Sequence, residues 1–248
     1  MSSNFNIYSK YYNLLYADKD YNSEAKYISE CIQAELPGAK SILEFGSGTG
    51  TCGLILKNMG YDIFGVELSR HMTEQALANG FPCRQGDITS FEINNKFDCV
   101  ISLFHVISYL SDNSSLEKAF MNAANCLNTD GLFIFDVWYS PAVYSQKPES
   151  RIKHVENEEI KVIRIAEPLM RLNENIVDVK YTVLVKDKIG NKWEEFTEVH
   201  PMRHFSLPEI SLLAKHTGFD IIKAEEFLTR EKPSAKTWGV NFILRKNG

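Results

Sequence analysis

From Ile42 to Gly50 the chain reads Ile-Leu-Glu-Phe-Gly-Ser-Gly-Thr-Gly, an apolar run that breaks into glycines and continues at once as the helical stretch TCGLILKNMG. A strand that turns on glycine directly into a helix leaves few architectures open. Glycine has no Cβ, so the backbone N–H groups at the start of that helix can come close to a ligand. The same alternation then repeats. Residues 61–67 are predicted as a second strand, HMTEQALANG as a helix closed by Gly80, and a short strand precedes Gly86 and Asp87. Residues 97–104 form a fourth, almost wholly apolar strand, as expected where both faces are covered. A helix over 114–127, a turn at Asp130-Gly131 and a fifth strand over 132–138 follow.

This order predicts an α/β fold with a Rossmann-like, doubly wound, mainly parallel sheet whose ligand lies at the carboxyl ends of the strands. At 248 residues the chain suits a single domain with an inserted lobe. Residues 5–36, rich in tyrosine, read as one helical segment stopped by Pro37-Gly38. After Trp138 the pattern changes: residues 155–200 hold no convincing helix, and 150–203 read as a β-rich insertion of two or three antiparallel strands, with Ile189-Gly190-Asn191 in one turn. That insertion is expected to be an acceptor lobe or a dimer contact, the latter because antiparallel edges pair readily. Helical signals resume at Ser206-Leu-Pro-Glu209, which has the form of a capping box, and two closing strands end the chain.

The glycine turn departs from the dinucleotide fingerprint, because its third glycine falls one residue early and Thr51 stands in the expected place. No G-K-[ST] follows, which excludes a Walker loop. Glu44 puts a charge at the end of a strand that should be buried, a costly placement unless a cation or hydrogen-bonding groups meet it. The ammonium of an amino-acid ligand would serve. Glu67 closes the second strand where a ribose would offer its hydroxyls. Asp87 closes the third, where a carboxylate can accept from an adenine amino group while the N–H of Ile88 donates to the ring. Leu68 and Phe104 would wall the base. One acid at a strand end is commonly a helix cap; three at successive strand ends beside a glycine turn mark a site.

ILEFGSGTG, VELS, QGDI, FDCVISLFHVISYL and LNTDGLFIFDVW resemble, in order, the motifs of class I methyltransferases that use S-adenosylmethionine (SAM), over roughly residues 40–138. The start YSKYYNLLYADKDY, the segment FDVWYSPAVY and the insertion are similar to methyltransferases of nucleotide-sugar and surface-polysaccharide pathways, including the dTDP-aminosugar N,N-dimethyltransferases. The resemblance implies SAM as cofactor, an N-terminal segment (1–36) folded over it, cofactor or acceptor contacts from Tyr12 and Tyr21, and cofactor contacts from Glu44, Gly46, Gly48, Glu67, Leu68, Asp87, Ile88 and Phe104. It also aligns Tyr109 with a polar acceptor-side residue.

Methyl transfer needs an acceptor held in line with the sulfonium methyl, and a base only where the acceptor must lose a proton. His105, just after the fourth strand, is the candidate base; a histidine satisfied by a backbone partner is the competing account. Tyr109 and Trp138 would shape the acceptor site. His200, Arg203 and His204, like Arg151 and Lys153, read as solvated surface groups that could otherwise reach an acceptor phosphate. The expected acceptor is a small molecule, by preference an amine or hydroxyl of a sugar or nucleotide-linked sugar. A metabolite carboxylate, a non-catalytic SAM-binding sensor or assembly subunit, and a dinucleotide-dependent oxidoreductase remain as alternatives.

A net charge of −5 disfavours a nucleic-acid partner. No run of about 18 apolar residues suggests a membrane span, and the start lacks a signal-peptide apolar core, so a cytoplasmic protein is expected. The five scattered cysteines read as reduced core residues. HPMRH lacks the partners of a metal site.

Overall fold

The computed structural model describes residues 8–248. Where one helix was expected over 5–36 there are two, α1 (Tyr8–Leu15) and α2 (Tyr21–Glu35); residues 5–7 lie outside the described residues. The break falls at Asp20, whose carboxylate accepts from the Ser23 N–H at 3.0 Å and so caps α2.

Then comes the expected alternation: β1 (Ser41–Phe45), α3 (Thr51–Asn58), β2 (Asp62–Glu67), α4 (Arg70–Ala78), β3 (Cys83–Gln85), β4 (Phe97–Ser102), α5 (Asn113–Cys126) and β5 (Leu127–Tyr139). The strands pair in parallel in the order β3-β2-β1-β4-β5. The sheet therefore reverses its winding between β1 and β4, which opens a crevice at their carboxyl ends. Ile42, Leu43, Cys99, Val100 and Ile101 are fully buried, with apolar clusters on both faces. All five cysteines are buried and unbridged.

The chain then leaves the sheet through α6 (Ser140–Gln146) and forms β6 (Arg151–Glu156), β7 (Ile160–Arg171), β8 (Ile176–Asp187) and β9 (Lys192–Phe205). These are four antiparallel strands where two or three were expected. The sequence RIKHVE hides β6 because its two apolar residues, Ile152 and Val155, stand three apart and break the two-residue period of a strand. At its far end β9 rejoins the main sheet, pairing in parallel with the tip of β5 through Trp138↔His204 and Tyr139↔Phe205. The lobe also grips α1, whose Leu15 is buried against Val162, Val183 and Val185.

α7 (Leu207–His216), β10 (Phe219–Glu226) and β11 (Gly239–Lys246) complete the chain, with β11 antiparallel to both β5 and β10. The capping box expected at Ser206 does not form. Ser206 makes no side-chain cap, and Glu209 is held instead by Arg203 at 2.6 Å. Among the described residues no helix is long and apolar enough to cross a membrane.

Candidate active site

The crevice at the carboxyl ends of β1, β2, β3 and β4 is a cleft of about 1220 Å3, open solvent at its mouth included. Its floor is the glycine turn. The N–H groups of Gly46 and Ser47 both donate to the Val66 carbonyl, at 2.8 and 3.2 Å, which ties the turn to β2. Gly46 has φ +71°, and a Cβ there would stand 2.5 Å from Val106, so both backbone and space demand glycine.

The close approach of helix to strand is made one turn further on, at Gly53. A Cβ there would meet Phe81 Cε2 at 2.3 Å and Glu44 Oε2 at 2.6 Å. In an open helix Gly→Ala gains about 1 kcal/mol. Phe81 is fully buried and cannot yield, and overpacking costs about 1–3 kcal/mol. Gly53→Ala is accordingly expected to lower stability by about 1 kcal/mol in urea unfolding and to weaken S-adenosylhomocysteine (SAH) binding through displacement of Glu44; a variant more stable than wild type would contradict that packing.

Glu44 is 3 % exposed, and its Oε2 has no hydrogen-bond partner among the described residues. Burial, and then the charge of Glu67, push its carboxyl up to about 8. Glu67 is buried as well, but its carboxylate accepts from the N–H of Gly48 at 2.9 Å and of Ser69 at 2.8 Å. Burial raises its pKa, and those N–H bonds hold it back. Asp87 accepts from the N–H and hydroxyl of Thr89 through Oδ1, at 2.8 and 2.7 Å, so one carboxylate edge shapes the turn. Asp87, Ile88, Leu68 and Phe104 all line the cleft, as do Gly46 and Gly48.

Tyr12 and Tyr21 line it from the N-terminal side, and their hydroxyls hydrogen-bond each other. Between them and the floor lie two groups the sequence reading passed over, Lys19 and Glu24. The Lys19 ammonium sits 2.5 Å from Glu24 Oε2 and 4.0 Å above the centre of the Phe104 ring. In sequence, DKDY looks like a solvated charge run. Glu24, however, is three residues after Tyr21 and so shares its helix face.

His105 lies beside this cleft rather than among its lining residues. It and Phe104 both have positive φ, +61° and +63°, a conformation costing about 1–2 kcal/mol per residue. Asp136 holds the pair of turns in place: its Oδ1 accepts the His105 N–H at 3.2 Å, and its Oδ2 lies 2.6 Å from His105 Nδ1. The facing group is thus a buried carboxylate, which holds the His105 backbone, while Nδ1 approaches it without hydrogen-bond geometry and has no hydrogen-bond partner among the described residues. Asp136 was missed, although it is another acid near the end of a buried strand, the signal that marked Glu44, Glu67 and Asp87.

Tyr109 lines the cleft at the end of the short turn Val106–Tyr109. Its hydroxyl is 3.1 Å from His200 Nδ1, and His200 Nε2 is 3.3 Å from Glu198 Oε2. The expectation of a solvated histidine patch is wrong. His200 and His204 are each 1 % exposed, because β9 turns these positions inward over the cleft and over α6. His204 packs in that second place, 2.8 Å from the Ser140 hydroxyl, and burial followed by the charge of Arg203 lowers its pKa to about 4. Lys153 is paired with Asp18 at 2.7 Å, and Trp138 packs on Trp238.

A cleft at the switch point of a sheet ordered 3-2-1-4-5, with a glycine turn for a floor, buried Glu44 and Glu67 at two strand ends and half-buried Asp87 beyond a third, is the ligand crevice of a doubly wound α/β fold. The chain matches the family described as "Methyltransferase domain" over residues 17–224. It belongs to that family, as a class I SAM-dependent methyltransferase. It is 26 % identical to a putative methyltransferase of Geobacillus sp. (strain WCH70) over 249 residues, covering 98 % of this chain and 99 % of the relative. It is 29 % identical to the dTDP-3-amino-3,4,6-trideoxy-alpha-D-glucopyranose N,N-dimethyltransferase of Streptomyces venezuelae over 203 residues, covering 80 % of this chain and 84 % of that one. Among solved structures, the sugar N-methyltransferase KedS8 from Streptoalloteichus sp. ATCC 53650 superposes with a TM-score of 0.82 at 24 % identity, covering 97 % of this chain and 93 % of that one.

Proposed function

We propose that this enzyme transfers a methyl group from SAM to the amine of a nucleotide-linked amino sugar. The donor half rests on one observation above all, the buried Glu44 oxygen that faces the cleft without a partner. An isolated buried carboxylate is costly, and the ammonium of the SAM methionine part would neutralise it. Glu67 accepts from the ribose hydroxyls, Asp87 and the Ile88 N–H read the adenine, and Leu68 and Phe104 enclose it. Gly46 and Gly48 let the chain pass close beneath, while Tyr12 and Tyr21 cover the site and exclude water. SAM supplies an electrophilic methyl on a sulfonium, so the protein's task is placement and the removal of one proton.

The acceptor half is supported by the relatives, several of which are dTDP-aminosugar N,N-dimethyltransferases. The lobe β6–β9 then holds the nucleotide-sugar, with Tyr109 at the reacting amine and His105 at the edge of the cleft. Asp136 favours a second reading, a sugar hydroxyl, because a carboxylate 2.6 Å from an imidazole nitrogen stabilises the positive charge formed when the ring takes a proton.

Incubation with SAM and either dTDP-3-amino-3,4,6-trideoxy-α-D-glucose or dTDP-4-amino-2,3,4,6-tetradeoxy-D-glucose tests this by mass spectrometry. A mono- or dimethylated sugar with stoichiometric SAH is expected. Unmodified sugars with a protein that binds SAH would overturn the acceptor half and leave the donor half standing.

A further inference from the structure

Tyr109 faces the cleft, but its phenol is not a base in its own right. Burial holds its pKa well above the ordinary value. Tyr181 on β8, Tyr16 after α1 and Glu198 on β9 raise it further, while Arg164 on β7 opposes them. A phenol in that setting stays protonated, and it can take a proton only by giving up its own in the same step. The recipient is present: His200 Nδ1 at 3.1 Å from the Tyr109 hydroxyl, with His200 Nε2 at 3.3 Å from Glu198 Oε2.

The placement of these groups follows from the fold. Glu198 and His200 are two residues apart on β9 and therefore share one face of the strand, and pairing with β8 sets His200 opposite Val179. The imidazole is clamped edge-to-face by the rings of Tyr109 and Tyr181, at 5.7 and 4.9 Å. An Nε2–H donated to Glu198 fixes the tautomer in which Nδ1 accepts from the phenol. Glu198 itself retains 12 % side-chain exposure, so the chain of contacts leads from the cleft towards the outside of the lobe.

We propose that Tyr109, His200 and Glu198 are a proton relay that drains the acceptor's proton from the cleft. The proposal rests on the cleft being a site of methyl transfer to a protonated amine or a hydroxyl. As the acceptor's lone pair is freed for the methyl group, its N–H or O–H proton goes to the Tyr109 oxygen. The phenolic proton moves to His200 Nδ1. The imidazolium so formed is balanced by the Glu198 carboxylate through Nε2–H. One proton leaves the acceptor and one arrives on His200, and nothing is oxidised or reduced. Tyr109 is the catalytic residue; His200 and Glu198 act through it.

His200→Asn keeps an oxygen that can accept from Tyr109 but cannot carry the proton. With the amino-sugar probes above it is expected to lower kcat about 100-fold, with SAH affinity and acceptor KM unchanged. Glu198→Gln still accepts from Nε2–H but removes the charge that balances the imidazolium, and should lower kcat less than His200→Asn with acceptor KM again unchanged. Wild-type kcat in a His200→Asn protein that binds SAH would overturn the relay. A second measurement is independent of acceptor: nitrogen-15 NMR of the wild-type protein with SAH, with the His200 signal assigned by its loss in His200→Asn. The Nε2–H tautomer is expected, and an Nδ1–H tautomer overturns the relay. Where neither sugar is methylated, that result counts against the acceptor reading, and the tautomer alone decides the relay.

Discussion

Glu67→Ala is expected to weaken SAH binding about 100-fold while leaving the protein folded. The carboxylate has two duties. It accepts from the N–H groups of Gly48 and Ser69 at 2.9 and 2.8 Å, which pins the glycine turn to the start of α4. It also lines the cleft, where the proposed function puts the ribose of SAM. Hydrogen bonds to a charged group contribute about 1.5–3 kcal/mol each, and 2.7 kcal/mol corresponds to about 100-fold in affinity. Glu67→Gln is not a mild change here, because one of its two amide atoms would be an N–H donor set against a backbone N–H donor. Both variants should therefore lose binding in calorimetric titration, alanine the more. Undiminished affinity in a folded Glu67→Ala protein would remove the ribose assignment.

The position of Glu67 at the cleft was legible for the same reason as those of Glu44 and Asp87. A parallel strand covered on both faces is almost wholly apolar, so a charge near its end stands out, and a glycine turn next to it shows which end is functional. The same logic reaches Asp136 in β5, and failing to apply it there hid the partner of His105. The lobe obeyed no such rule. In a long antiparallel meander each strand has one covered face, and which residues occupy it depends on pairing and on what packs above. EVHPMRHF alternates in a way that fits either face; only the β8–β9 register and the β5 junction turn His200 and His204 inward. Lys19 and Glu24 were opaque for a related reason. Their burial comes from the break at Asp20, which folds α1 back against the lobe and over Phe104. The failed capping box shows local chemistry overridden by tertiary contact, since Arg203 arrives from β9 to claim Glu209.

The ligand-free protein is expected to lose stability as pH rises from about 5 to 8.5, with Glu44 as the main cause. Its carboxyl is shifted from an ordinary 4.5 up to about 8 by burial and then by Glu67, so the folded state binds that proton more tightly than the unfolded chain. The stability this contributes is fully present below pH 4.5 and is lost as pH passes upward through 8. At 1.36 kcal/mol per unit the loss is on the order of 3 kcal/mol, once solvent entering the open cleft is allowed for. Glu44→Gln keeps the shape without the titration, and its Tm should vary much less over that range. SAH binding is the converse experiment. An ammonium brought to Glu44 Oε2 favours the ionised carboxylate, so binding at pH 7 should release close to one proton, seen as a calorimetric enthalpy that changes with the ionisation enthalpy of the buffer. In Glu44→Gln that dependence should vanish and affinity should fall. Equal buffer dependence in the two proteins would place the proton elsewhere and leave the buried carboxylate without its cation.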